Sequence, residues 1–213
     1  MRKKFALQKG EEKRLEIAWK GKWKSVAIKL DDQEVGTISG KTEMLEGRDF
    51  DLPDGSRLRV QLKKFPFTSR ILAVYRNDEP LPGTNADPLR RLNTACRSIF
   101  FIAACGLLAG AMIEMLDIKA FRDAGYGWFT LIYGAAFLVL GLLVRKRSMP
   151  ALAIAMIILL ADTVFSCYNF IELIDTKQVG GAAWGLIIRF ALLSWIAPGF
   201  AAIRELKERD AIK

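Results

Sequence analysis

Four long apolar runs in the second half of the chain limit its fold more than any other feature. They cover about Ile99–Leu116, Gly127–Val144, Met149–Leu173 and Ala182–Ile203. Each is close to the ~20 residues that carry a helix across a bilayer. In hydrocarbon a single segment satisfies its backbone polar groups only as a helix, so four transmembrane helices are expected. The connections between them are short, which makes the expected arrangement an antiparallel bundle.

The first ninety residues follow a different period. "LEIAW" sets Leu15, Ile17 and Trp19 on one face, and "VAIKL" does the same with Val26, Ile28 and Leu30. "RLRVQL" alternates Leu58, Val60 and Leu62 with polar residues, and "RILAVY" is a more apolar strand. Strict alternation marks half-buried strands. Turn signals stand between them at 20–22, 31–36, 53–56 and 77–83. Six or seven short strands point to a small antiparallel sandwich or barrel. The fold class is therefore α+β and multidomain. A β-sandwich occupies 1–80, a linker and juxtamembrane helix start 81–97, the four-helix bundle 98–206, and a tail 207–213. Within the linker, Asp87 is placed to cap a helix that has Pro88 in its first turn.

Composition narrows the functional classes. The chain has no His, which removes imidazole general bases, His-based triads and most zinc sites. Cys96, Cys105 and Cys167 form no CxxC pair, so no disulfide framework or metal cluster is indicated. No catalytic residues, cofactor or metal are expected. A net charge of +9 raises the question of nucleic acid. In a membrane protein, basic residues mark the cytoplasmic side and meet anionic headgroups instead, and nucleic acid is not expected. "GRDFDLPDGSRL" resembles a phosphothreonine-reading forkhead-associated sandwich at first sight, but that pattern needs a Ser-x-x-His, which is absent.

The basic residues also set the topology. Arg90, Arg91, Arg97, Arg145, Lys146, Arg147, Arg204, Lys207, Arg209 and Lys213 fall on one side, and only Lys119, Arg122 and Lys177 on the other. The imbalance places both termini in the cytoplasm. Tyr126, Trp128 and Trp184 then lie at the outer interface, where aromatic residues favour the headgroup boundary. The N-terminus has no apolar h-region, so a signal peptide is not expected.

Charges inside the runs are the sharpest functional signal. Arg189 interrupts "GLIIRFALLSW", and Asp162 and Glu114 lie at comparable depth. An unpaired charge at mid-membrane costs about 2.5–3.5 kcal/mol on insertion scales, so pairing inside the bundle is expected. Asp162 shares one helix stripe with Ala151, Ala155, Ser166 and Asn169. Two readings follow. In one, Asp162 and Arg189 clamp the third helix to the fourth, with Ser166 and Asn169 adding hydrogen bonds. In the other, these groups line a polar cavity for an ion, a proton or a small ligand. Candidate helix-packing positions are Ala103, Gly106 and Gly110 in the first run, and Ala182 and Gly185 in the fourth. Pro198 frees the carbonyl of Ser194 and is expected to bend the fourth helix. In the β domain, Trp19, Lys20, Lys22, Trp23 and Lys24 form a hairpin tip. It is either a lipid-surface contact or a pair of core tryptophans flanked by solvated lysines.

The segments "LPDGSRLRVQL", "NDEPLPGT.ADPLRRL", "RKRSMPALAIA", "LLAD" and "IIRF", in that order, carry a resemblance over nearly the full length. The chain resembles a bacterial, cyanobacterial-type group of membrane proteins that join an N-terminal β domain to four transmembrane helices. The resemblance implies the architecture and no activity. The expected role is a non-enzymatic membrane scaffold or sensor in the bacterial inner membrane. Its β domain would bind a protein partner or the inner leaflet, and membrane lipids and a homo-oligomer are the other expected partners. The alternatives are a small oligomeric channel or transporter-like protein and an accessory subunit of a larger membrane complex.

Overall fold

A computed structural model describes residues 1–8, 10–21, 23–63, 71–117, 126–175 and 180–212. The chain divides into two compact units, Met1–Arg91 and Leu92–Lys213.

The first unit holds two four-stranded antiparallel sheets. One runs β1 (Arg2–Phe5), β2 (Leu15–Lys20), β3 (Ser25–Leu30) and β4 (Gln33–Ser39), in that spatial order. The other runs β5 (Arg48–Asp51), β6 (Arg57–Lys63), β7 (Ile71–Arg76) and β8 (Glu79–Pro80), also in sequence order. A short helix, α1 (Lys41–Glu46), connects the two sheets. The alternating residues explain the layering. Leu15, Ile17, Val26 and Ile28 of one sheet, and Leu58, Val60, Leu62 and Val74 of the other, are buried in a single core. Opposed pairs such as Ile17 with Ile28 and Val60 with Val74 fix the registers.

Three elements differ from the sequence reading. β1 is a strand although three of its four residues are exposed and basic, because as an edge strand it buries only Phe5. The stretch 31–36 is mostly strand rather than turn. Asp31 and Asp32 both adopt positive φ, a two-residue type I′ pattern that turns the chain at once and releases Gln33 onward into β4. Asn77 and Asp78 repeat the device before β8.

The second unit is helical. α2 (Pro88–Met115) is followed by α3 (Tyr126–Arg145), α4 (Met149–Asp175), α5 (Gly180–Ile196) and α6 (Pro198–Ile212). Asp87 caps α2: its carboxylate accepts from the N–H groups of Leu89 at 2.9 Å and Gly83 at 3.0 Å. The start of α2 is continuous with the first apolar run, so no separate linker stands between 88 and 97. Pro198 does more than bend the fourth run. The helix stops at Ile196 and restarts at Pro198, and the Ser194 hydroxyl turns back onto the carbonyl of Ala191 at 2.7 Å.

Four spans among the described residues are long and apolar enough to cross a membrane: Pro88–Met115, Gly127–Arg145, Met149–Ile171 and Ala183–Ala211. Only 28–33% of each apolar window is buried within the protein. The rest presents large apolar side chains outward, among them Phe101, Leu108, Phe129, Ile132, Val164, Phe165, Trp184, Phe190 and Trp195. Among the described residues of the first unit the corresponding ones are only Met1, Leu45 and Leu89.

Candidate functional site

α4 carries Asp162 at its midpoint, thirteen residues from either end. That is roughly 20 Å along the helix from each terminus. α5 brings Arg189 alongside it. The Arg189 guanidinium donates from Nε to Asp162 Oδ2 at 2.6 Å and from Nη2 to Oδ1 at 3.5 Å. Each side chain is 31% exposed, so the pair sits at a wall and not in the packed centre. The two-point geometry orients the guanidinium plane as well as neutralising it. Gly185, one turn earlier on α5, leaves room for this: a Cβ there would lie 3.1 Å from Arg189 Nη1.

The pair forms one wall of a cavity of about 450 Å³ lined by residues of all four spans. α2 contributes Ile102, Cys105 and Gly106, and α3 contributes Thr130 and Tyr133. Leu159 of α4 and Leu192 of α5 complete the buried floor. Phe101, Phe129 and Ile188 stand at the rim and are more than half exposed or nearly so. Tyr133 packs its ring against Phe137 at 4.8 Å, which fixes the ring while its hydroxyl makes no hydrogen bond to a described residue.

The floor exists because α2 and α3 approach backbone to backbone. A Cβ on Gly106 would lie 2.9 Å from the Cα of Gly134, and one on Gly134 would lie 2.6 Å from the nitrogen of Leu107. Gly110 faces the carbonyl of Gly127 in the same way at 3.0 Å. Ala103 is buried on the same face, at 1% exposure. The partner seam on α3, Gly127, Gly134 and Gly141, has a spacing of seven, a heptad of glycines that the sequence itself displays.

The other candidate residues separate from the pair. Glu114 does not join Arg189. Its carboxylate lies over Gly127 at the start of α3, where a Cβ would come within 2.0 Å of Oε1, and Oε1 is buried without a hydrogen-bond partner. Ser166 and Asn169 are half-buried further along α4, and the hydrogen bonds among described residues include none from their side chains. Ala151 and Ala155 of the same stripe are packed in the bundle core. Ala182 lies on α5, but its side chain is outside the description, as is that of Lys20. Lys22, Lys119, Arg122 and Lys177 lie outside the described residues.

At the hairpin tip, Trp19 and Trp23 stack with centroids 4.9 Å apart and planes 18° from parallel. Both are half-buried against the sandwich core, and Lys24 is exposed. Trp23 takes φ 67°, which folds the tip back and lays its ring on Trp19. Among the described residues no group of three or more Cys, Asp or Glu is placed to hold a metal ion. Cys96 is buried, Cys167 half-buried, and Cys105 exposed at the cavity.

No protein-family model matches the chain, and neither the curated proteins nor the solved structures include a match to it.

Proposed function

We propose that this chain is a non-enzymatic integral protein of the bacterial inner membrane, with both termini in the cytoplasm. The helical unit anchors, and the β-sandwich is the part that engages a protein partner or the leaflet surface, as a scaffold or sensor does. The observation that carries this reading is the Asp162–Arg189 pair. Each partner takes up the other's charge at mid-span, which is what an interhelical clamp does. A conduction path would instead keep charged groups available to a passing ion. The outward apolar surface of every span supports the membrane setting, since a water-exposed face of that extent would drive aggregation.

A charge exchange tests the clamp. Asp162→Arg and Arg189→Asp are each expected to lower the melting temperature in detergent, because each leaves two like charges together at mid-span. The double exchange is expected to recover most of the loss. If the double variant is no better than the singles, the pair is not a clamp. Ion flux in proteoliposomes that disappears with Asp162→Asn would favour the channel reading instead.

A further inference from the structure

We infer that the cavity beside the Asp162–Arg189 pair is a binding site for a neutral lipid that carries a carbonyl and lacks a charged headgroup, a benzoquinone ring on a hydrocarbon tail being the type. The inference rests on the membrane reading above and supplies the sensor with its input.

Four observations select this chemistry. First, the pair is electrically balanced, so the wall draws neither an anion nor a cation. Second, the lining keeps unused donors beside the lone pairs that Asp162 retains. A guanidinium has five N–H groups, and Asp162 takes one from Nε and one from Nη2. Nη1, which faces Gly185, and the Tyr133 hydroxyl are left beside the same space. In hydrocarbon, such donors need an acceptor, and a carbonyl oxygen with two lone pairs meets more than one of them. Third, the rest of the lining is apolar and the rim is aromatic, with Phe101 and Phe129 exposed at the mouth. The mouth therefore opens toward lipid tails, and a ligand enters sideways from the hydrocarbon. Fourth, Asp162 is at the midpoint of α4. A carbonyl that reaches it lies near the bilayer centre, a depth that a charged headgroup avoids. The volume of about 450 Å³ is that of an ordinary small-molecule site with a few placed polar groups.

Cys105 lines this cavity and is exposed, so its alkylation reports occupancy. The full-length protein is reconstituted in nanodiscs of ether-linked phospholipid, which contain no carbonyl. It is treated with a membrane-permeant maleimide, and the Cys105 adduct is followed by peptide mass. The probes are a fully ring-substituted benzoquinone with a decyl tail, which cannot add a thiol to the ring, and decylbenzene, which has the same tail and no carbonyl. With the quinone at about ten times its Kd, alkylation of Cys105 is expected to slow about tenfold. Decylbenzene at the same concentration is expected to leave the rate unchanged. Tyr133→Phe, which removes one donor and keeps the ring, is expected to weaken the quinone about 2- to 10-fold. Equal protection by decylbenzene, or no protection by the quinone, overturns the proposal. So does protection in ester-linked nanodiscs without any probe, which would assign the cavity to the bilayer's own phospholipid. Failure of the chain to enter nanodiscs at all would instead overturn the membrane reading on which the site depends.

Discussion

Glycine does opposite work in the two units. In the sandwich, Gly10, Gly21, Gly40, Gly47, Gly55 and Gly83 all have positive φ, and they let the chain turn where a side chain would be strained. In the bundle, Gly106, Gly110, Gly127, Gly134 and Gly141 are helical, and what they provide is the absence of a Cβ. The sandwich gains its core from large side chains and uses glycine mostly at its turns; Gly36 in β4, where a Cβ would lie 2.5 Å from the Phe50 ring, is the exception. The bundle brings backbones together along α2 and α3, buries a core that includes Phe137, Ile99 and Leu152, and still leaves many large side chains outside. Water drives the first arrangement by excluding Leu, Ile and Val from contact with it. In an apolar medium that force is missing, and close van der Waals contact along small residues replaces it.

The comparison predicts which substitutions each unit feels. The largest effect belongs to the sandwich core. Leu58→Ala removes a fully buried side chain shared by both sheets and is expected to cost about 2–5 kcal/mol, read as a lower urea midpoint by β-sheet circular dichroism. The helical signal should persist through that transition; a joint loss would mean that the two units do not unfold separately. Next is Gly134→Ala. A single methyl would meet the α2 backbone at 2.6–3.0 Å, and the expected cost is about 1–3 kcal/mol, seen as a lower melting temperature in detergent. The same change at exposed Gly55 is felt through backbone strain alone, since nothing lies within 4 Å of the added Cβ. Asp87→Ala removes the cap of α2 and is expected to cost about 0.5–2 kcal/mol, with faster amide exchange confined to the first turn of that helix.

The smallest effect is electrostatic. Hydrogen bonds from the Ser56 hydroxyl and backbone, with Arg76 beside them, hold the Asp54 carboxyl below its ordinary value of 3.8. A folded-state pKa below the unfolded one means that Asp54 stabilises the sandwich above about pH 4, and that this contribution fades as pH falls through the folded value. Asp54→Asn is expected to flatten that part of the acid transition. An unchanged acid profile would show that the pair is as weak as exposed ion pairs commonly are. The sandwich's Arg14–Asp31 and Arg57–Asp49 pairs are more exposed, whereas Asp162 and Arg189 are both half-buried.

Legibility in the sequence followed the strength of the local signal. β2, β3 and β6 alternate cleanly because both of their faces have a job, one in the core and one in water, whereas β7 buries Leu72, Ala73 and Val74 in succession. β1, β4 and β8 carry little pattern, since an edge strand buries few residues and owes its place to a partner. The second and third runs match α3 and α4 to within two residues, whereas α2 begins at Pro88, well before Ile99, and the stop at Ala197 could not be told from a bend, because Pro198 alone permits either. Depth counting brought Arg189, Asp162 and Glu114 to the same region. It could not say which acid the arginine would meet, since that depends on the rotation of each helix about its axis. The cavity was not legible at all, being a gap between four segments and not a property of any one.

The glycine seam has a mechanical consequence. Where Gly106 faces Gly134 and Gly110 faces the carbonyl of Gly127, a slide of one helix along the other would drive Leu107 or Leu131 into the opposing backbone. The α2–α3 hairpin is therefore held in one register, like two racks with meshed teeth. α4 and α5 share a side-chain core instead, with Ala155 and Leu159 of one and Leu192 and Ile196 of the other buried together, and the Asp162–Arg189 pair adds a polar tie at mid-span.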